Sequence, residues 1–252
     1  TIILVIGMNE LELLNQYINE AKHLVFFGGA GVSTASGLKD FRSEDGLYHE
    51  KFLYSPEEVL SHSFFMENTE YFYSFYEKNL NSLSASPNIC HKYLSWLEQK
   101  GKLKAIITQN IDGLHQKAGS KNVIELHGTI MNNYCMNCNS KMEASEVFST
   151  NGVPHCKCGG IIKPAVTLYE EALDEDVISK AIQEIDAADV LIIAGTSLVV
   201  YPASAFVRYF HGKHLIIINR DTTFMDSLSD LVIHDDITNV FQYLDKNRNT
   251  LD

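Results

Sequence analysis

The feature that most limits the fold is a set of short apolar runs, each closed by glycine or polar residues. Lys22 to Phe27, Ala105 to Thr108, Asp189 to Ala194 and His214 to Ile218 are such runs. Helical patterns lie between them, such as Asp176 to Ile185, and Leu11, Leu14, Tyr17, Ile18 and Ala21 recur at helical spacing just ahead of the first. Runs of this length read as buried strands, and strands alternating with helices predict an α/β fold with a doubly wound parallel sheet. Ligands of such sheets bind beyond the carboxyl ends of the strands. Those ends are Gly28 to Ser33, Gln109 to Asp112, Gly195 to Ser197 and Asn219, so four segments are expected to face one crevice.

Two stretches break the rhythm. Residues 43–80 read as a helical insertion rich in aromatics, and residues 132–163 as a smaller inserted zinc-binding module. In the latter, Cys135-x-x-Cys138 precedes Cys156-x-Cys158 by seventeen intervening residues. Four thiolates converging on one point suit a tetrahedral Zn²⁺ with no open position, hence a structural ion. The second pair is one residue shorter than the usual C-x-x-C. His155 is therefore an alternative ligand, although Gly159-Gly160 directly after the pair favours all four cysteines. The expected organisation is one domain, 1–252, in which 9–42, 81–131 and 164–252 form the parallel-sheet part that carries the crevice.

At 252 residues and 45% hydrophobic, the chain can bury a full core. A formal charge of -12 disfavours nucleic-acid backbones and favours encounter with basic peptides. Five cysteines, four clustered and Cys90 alone, point to a reducing, cytoplasmic setting with no disulfide framework. The apolar run Thr1 to Met8 is too short to span a bilayer and lacks a signal-peptide pattern, so it reads as a strand or an extension. No membrane association is expected, and a monomer is favoured.

Gly28, Gly29 and Gly31 lack side chains where a strand is expected to turn into a helix, which would let backbone amides approach a pyrophosphate. Alone this is a tight turn as readily as a cofactor loop. Around it, however, stand Ala30-Gly31-Val32-Ser33, Ser36-Gly37, Asp40-Phe41-Arg42 and Gly46-Leu47-Tyr48. These resemble the cofactor loop of the sirtuins, NAD-dependent protein deacylases. Thr108-Gln109-Asn110-Ile111-Asp112-Gly113-Leu114-His115 resembles their nicotinamide-pocket motif, and Leu126-His127-Gly128 their catalytic-histidine motif. Gly195-Thr196-Ser197-Leu198 resembles the second phosphate loop, and Ile218-Asn219 the adenosine-ribose motif. With the cysteines in the same order, the resemblance covers about residues 10–245.

The resemblance implies a Rossmann-like NAD-binding part, NAD consumed as cosubstrate, one structural Zn²⁺ and an acyl-lysine protein or peptide substrate. Cleaving a ribosyl-nicotinamide bond develops oxocarbenium character, so the site needs a carboxamide clamp, a water-excluding face and a base. Asp112 suits the clamp, Phe41 the face and His127 the base. Gln109 and Asn110 would hold ribose hydroxyls or a water, Arg42 and Ser197 phosphates. The expected catalytic set is His127, Asn110 and Asp112. The expected cofactor set adds Gly28, Ala30, Gly31, Ser33, Asp40, Phe41, Arg42, Tyr48, Gln109, Ile111, Gly195, Thr196, Ser197 and Asn219. By resemblance, the acyl oxygen attacks the sugar C1′, His127 activates a ribose hydroxyl, and 2′-O-acyl-ADP-ribose leaves with free lysine.

The chain departs from the family where the substrate strand is expected, at Val166, Thr167, Leu168 and Tyr169. Tyr169-Glu170-Glu171 stands where the family has Phe or Tyr, Gly, Glu, so glutamate replaces glycine and brings substrate choice and rate into question. Leu38-Lys39 replaces Ile-Pro, which should loosen a loop that closes over NAD. The aromatics Tyr71 to Tyr76 read as core, with an acyl channel as the alternative. Members that remove acidic acyl groups pair a tyrosine with an arginine three residues on, but Tyr76 is followed by Glu77, Lys78 and Asn79. A neutral acyl group, acetyl first, is thus expected. ADP-ribosyl transfer, NAD hydrolysis and a non-catalytic NAD-sensing module remain alternatives. His115, His49, His62 and His91 read as structural, with no partner identifiable.

Overall fold

Asn9 caps the first helix through a reciprocal pair with Glu12, the carboxylate answering the Asn9 amide while Asn9 Oδ1 accepts from the Glu12 amide. A computed structural model describes residues 9–42 and 46–248, and the run Thr1 to Met8 lies outside them. Helix α1 (Glu10–Glu20) leads into strand β1 (Leu24–Gly28), whose residues are all buried. Helices α2 (Pro56–Val59), α3 (His62–Glu67) and α4 (Thr69–Leu80) follow, then α5 (Ile89–Gln99) and β2 (Leu103–Thr108). Next come α6 (Leu114–Lys117), β3 (Val123–Glu125), β4 (Gly128–Cys135), β5 (Lys141–Glu143), α7 (Ala144–Ser149) and β6 (Ile162–Val166). The chain closes with α8 (Glu175–Ala187), β7 (Val190–Ala194), β8 (His214–Ile218), β9 (Leu231–Ile233) and α9 (Ile237–Lys246).

Six strands form a parallel sheet in the order β3-β2-β1-β7-β8-β9. Both faces are covered because β1 alternates across the pleat. Leu24 and Phe26 join a core with α1, α5 and α9, while Val25 and Phe27 join one with α8 and the 3-10 stretch Ala203–Tyr209. The strand order reverses between β1 and β7, which opens a crevice at their carboxyl ends. The short strands β3 and β9 escape the sequence reading, since three residues carry too little periodicity.

One expectation is corrected after β1. Two short 3-10 turns, Ala30–Val32 and Thr34–Ser36, take the place of a helix. The Gly29 and Gly31 amides donate to Ala194 and Gly195 carbonyls, at 3.1 and 2.8 Å. A Cβ at Gly31 would lie 2.8 Å from Gly195 Cα. These glycines therefore let the loops after β1 and β7 meet backbone to backbone, and their amides are already used.

The two insertions share one core. Phe64, Phe65, Phe72, Tyr73, Phe75 and Tyr76 of the helical insertion pack with Ile130, Cys135, Phe148 and Ile162 of the cysteine-bearing segment. Tyr76 stacks between Phe72 and Phe148, at 5.4 and 5.2 Å between ring centroids. The antiparallel sheet β5-β4-β6 floors this lobe, with the strip after β6 at its inner edge. Among the described residues, no helix is long and apolar enough to cross a membrane.

Candidate active site

A cavity of about 410 Å³ lies between the parallel sheet and the second lobe. Among its walls are Ala30, Gly31, Ser33, Asp40, Phe41 and Arg42 after β1, and Gln109, Asn110, Ile111 and Asp112 after β2. His127, Gly195, Thr196, Ser197 and Asn219 complete the cofactor side, and Val166, Thr167, Leu168 and Tyr169 face it from the other lobe. Of the expected residues, Gly28 and Tyr48 stand off the wall. The Gly28 carbonyl accepts from the Gln109 amide at 2.9 Å, beneath the loop. Tyr48 packs against Phe41 and meets the Tyr169 hydroxyl at 2.9 Å, linking the loop over the cavity to the strip.

Asp112 is buried, and its carboxylate is held from two sides. Oδ1 accepts from the Leu114 amide at 2.9 Å, and Oδ2 accepts from the Ser33 hydroxyl at 2.6 Å. Burial nonetheless raises its pKa above the ordinary 3.8, outweighing these bonds. Ser33 Oγ also accepts from Asn110 Nδ2 at 3.0 Å. Behind it stands His91, fully buried, whose Nδ1 accepts from the Asn88 amide. The His91 ring proton therefore sits on Nε2, 3.5 Å from Ser33 Oγ. Burial depresses His91 to about 4, so it is neutral at pH 7. His91 thus has a partner that the sequence did not disclose.

His127 lies between β3 and β4. Its Nδ1 is 2.9 Å from the Gln109 carbonyl, which can only accept, so Nδ1 carries the proton and Nε2 is the free acceptor. Burial lowers its pKa below 6.5 despite that bond, keeping the ring neutral. Gln109 takes a bond from Thr196 Oγ1 on its Oε1, while its buried Nε2 has no partner among the described residues. An orphaned amide donor beside a histidine acceptor fits a ligand rich in hydroxyl and phosphate oxygens. The cavity volume is within the usual range for small-molecule sites.

The four cysteine Sγ atoms lie within 4.8 Å of one another, with pairs at 3.4 to 3.6 Å. A zinc-sulfur bond of about 2.3 Å gives a tetrahedral edge of roughly 3.8 Å, so the set fits zinc. His155 is not in the cluster, and its Nδ1 turns to the Val153 carbonyl. Gly160 lets the chain after the second pair pass close to the cluster, since a Cβ there would lie 2.6 Å from Cys135 Sγ.

Both departures from the expected pattern have structural answers. The loop with Leu38-Lys39 is held by a Lys39 to Glu50 ion pair and by Leu47 and Tyr48 amides donating to Asp40 and Phe41 carbonyls, each at 2.9 Å. Glu170 has φ 74°, the left-handed conformation glycine would take, at a cost of about 1 kcal/mol for a side-chain-bearing residue. The backbone path of the strip is thus kept. The aromatics Phe72 to Tyr76 are core, and none is among the cavity walls. Sequence reading missed Asp235 and Asp236, which reach the cavity beyond β9. The three-residue run Leu231 to Ile233 before a polar stretch is the only signal for them.

A crevice at the reversal of a parallel sheet, a histidine anchored in its wall and a four-cysteine second lobe define a class of NAD-utilising α/β proteins. Residues 29–202 match the Sir2 family. The NAD-dependent protein deacetylases of Clostridium perfringens (strain 13 / Type A) and Clostridium acetobutylicum (strain ATCC 824) are both 52% identical to this chain. The first alignment covers 92% of this chain and 97% of the relative, the second 93% and 98%. A solved structure described as Sir2-p53 peptide-NAD+ superposes with a TM-score of 0.85 at 36% identity, covering 96% of this chain and 100% of that one. Another, a Sir2 variant with deacetylated p53 peptide and 3'-O-acetyl ADP-ribose, gives 0.86 at 34% identity, covering 94% and 98%. The chain belongs to the Sir2 family.

Proposed function

We infer that this protein is an NAD-dependent protein lysine deacetylase, which removes acetyl groups and releases nicotinamide and O-acetyl-ADP-ribose. The observation that carries the reading is His127, tautomerically fixed by Gln109 and sharing one cavity with Asp112, Asn110 and the strip Val166 to Tyr169. NAD, when bound, would supply an electrophilic sugar carbon. Asp112, pre-set by Ser33 and Leu114, orients a carboxamide, and the Phe41 ring excludes water at the sugar face. Asn110 and Gln109 hold hydroxyls, while Arg42 and Ser197 meet phosphates. His127 accepts a proton at Nε2. Thr167 to Tyr169 receive the peptide as an added strand. Zinc, held by Cys135, Cys138, Cys156 and Cys158, has no open position and supports the second lobe. Burial of Tyr76 in the aromatic core removes it as an acidic-acyl reader, which supports neutral acyl groups. The all-cysteine cluster and free Cys90 support a reducing, cytoplasmic location, and we propose a monomer.

The test is mass-spectrometric turnover of acetyl-lysine and longer-acyl peptides with NAD, comparing wild type with His127→Ala. O-acyl-ADP-ribose only with wild type is the expected result. NAD consumption without acyl loss would move the assignment to ADP-ribosyl transfer or NAD hydrolysis, and no turnover would favour a sensing module.

A further inference from the structure

Glu170 replaces a glycine of the family pattern and yet keeps the glycine conformation, so its side chain must be held by something. Its carboxylate reaches across to α3, where Oε2 accepts from the Ser63 amide at 2.9 Å and Oε1 from the Ser63 hydroxyl at 3.0 Å. The neighbouring groups join the same junction. The His62 amide donates to the Tyr169 carbonyl, and the Tyr169 amide donates to the Leu60 carbonyl, each at 2.9 Å. Ser61 Oγ accepts from the Phe64 amide at 3.2 Å. The first three amides of α3 are therefore answered by the Tyr169 carbonyl, the Glu170 carboxylate and Ser61, two of them supplied from the strip. A glycine at 170 could follow the same backbone path but could not supply the second of these bonds.

We propose that Glu170 is a positioning residue for the acyl-peptide strip, fixing Thr167 to Tyr169 at the cavity wall by capping α3 from outside the helix. The inference rests on the deacetylase reading for its consequence and on geometry for its origin. An added peptide strand gains most from a receiving strand that is already ordered. Glu170→Gly relaxes the backbone and removes both Ser63 bonds together, leaving the strip on its remaining bonds to Leu60, His62, His127 and Glu171, so part of its ordering falls to the incoming peptide. The larger effect falls on peptide binding, since the strip meets the nucleotide side only at its margins, where Tyr169 touches Tyr48 and the Thr167 amide donates to the His127 carbonyl, each at 2.9 Å.

The experiment has two arms on the zinc-loaded full chain. Hydrogen exchange on the protein without substrates reads the clamp directly. Glu170→Gly should speed exchange of the Ser63 and Tyr169 amides at least about tenfold, as expected for a lost pair of charge-assisted bonds, with β1 amides unchanged. Unaltered exchange at Ser63 overturns the clamp whatever the activity. Steady-state kinetics read its consequence. Glu170→Gly should raise the KM for acetyl peptide about fivefold, with the KM for NAD changed less than twofold and the loss borne by KM rather than kcat. Glu170→Gln, which keeps one oxygen acceptor, should recover part of that loss. Ser63→Ala added to Glu170→Gly should add little. An unchanged peptide KM, or equal rises in both KM values, overturns the positioning role. A wild type that takes no acetyl peptide overturns the deacetylase reading instead, while the exchange arm still decides the clamp.

Discussion

Ser33 shows how much of this site depends on one hydroxyl. It donates to Asp112 and accepts from Asn110 and His91, so removing it strands polar groups on three sides. Ser33→Ala is expected to lower kcat/KM about 10- to 100-fold, the cost of buried partners left unpaired, with little change in peptide KM; steady-state kinetics check it. His127, the base proposed above, works only when unprotonated, and burial holds its pKa below 6.5. Activity should therefore persist through pH 6.5 and fall on the acid side below it. A pH profile of kcat/KM with its acid limb at or above 6.5 would contradict this. That His127, Asp112 and Asn110 line one cavity was legible because each sits in a motif whose order is distinctive. His91 was not, because its partners Ser33 and Asn88 are set by how α5 packs on the loop after β1.

Among the elements, the cysteine sheet and the aromatic helices stand or fall together. Metal binding in small thiolate modules supplies folding free energy on the order of 10 kcal/mol. Because Phe148 and Cys135 lie in the same cluster as Tyr76 and Phe72, chelation should loosen α4 as well as the cysteine loops. Near-ultraviolet circular dichroism should lose aromatic signal on zinc removal, and α4 amides should exchange faster while β7 amides keep their protection. Protection of α4 unchanged by chelation would refute the shared core. The long strands and helices were readable from periodicity. The short elements β3, β5 and β9 were not, since their existence depends on a neighbouring strand already in place. The joint core of the two insertions was equally hidden, because residues 64 to 76 and 130 to 162 meet only in three dimensions.

For the molecule as a whole, acid should be destabilising through histidines held neutral in the interior. His91 and His115 are buried and His127 nearly so, and all three have pKa values pushed down by burial. The unfolded chain takes up their protons as pH falls through about 6.5, whereas folded His91 resists until about 4. Stability is thus complete above 6.5 and is lost across the window below it, by about 3 kcal/mol for His91 alone. Urea midpoints at pH 7.0, 5.5 and 4.5 should fall in that order, and His91→Gln should flatten the decline. A wild-type midpoint constant from pH 7 to 5 would count against it. The cavity between the sheet and the aromatic lobe has a further consequence. Its two walls are rooted largely in different interiors, the cores of the sheet and the aromatic lobe, and they meet at a few places such as Phe41 on the aromatic cluster and Tyr48 on Tyr169. On the reading proposed above, a lineage carrying this architecture can retune which lysines it serves by remodelling the lobe around Glu170 and Ser63 while the contacts to the sheet side are kept.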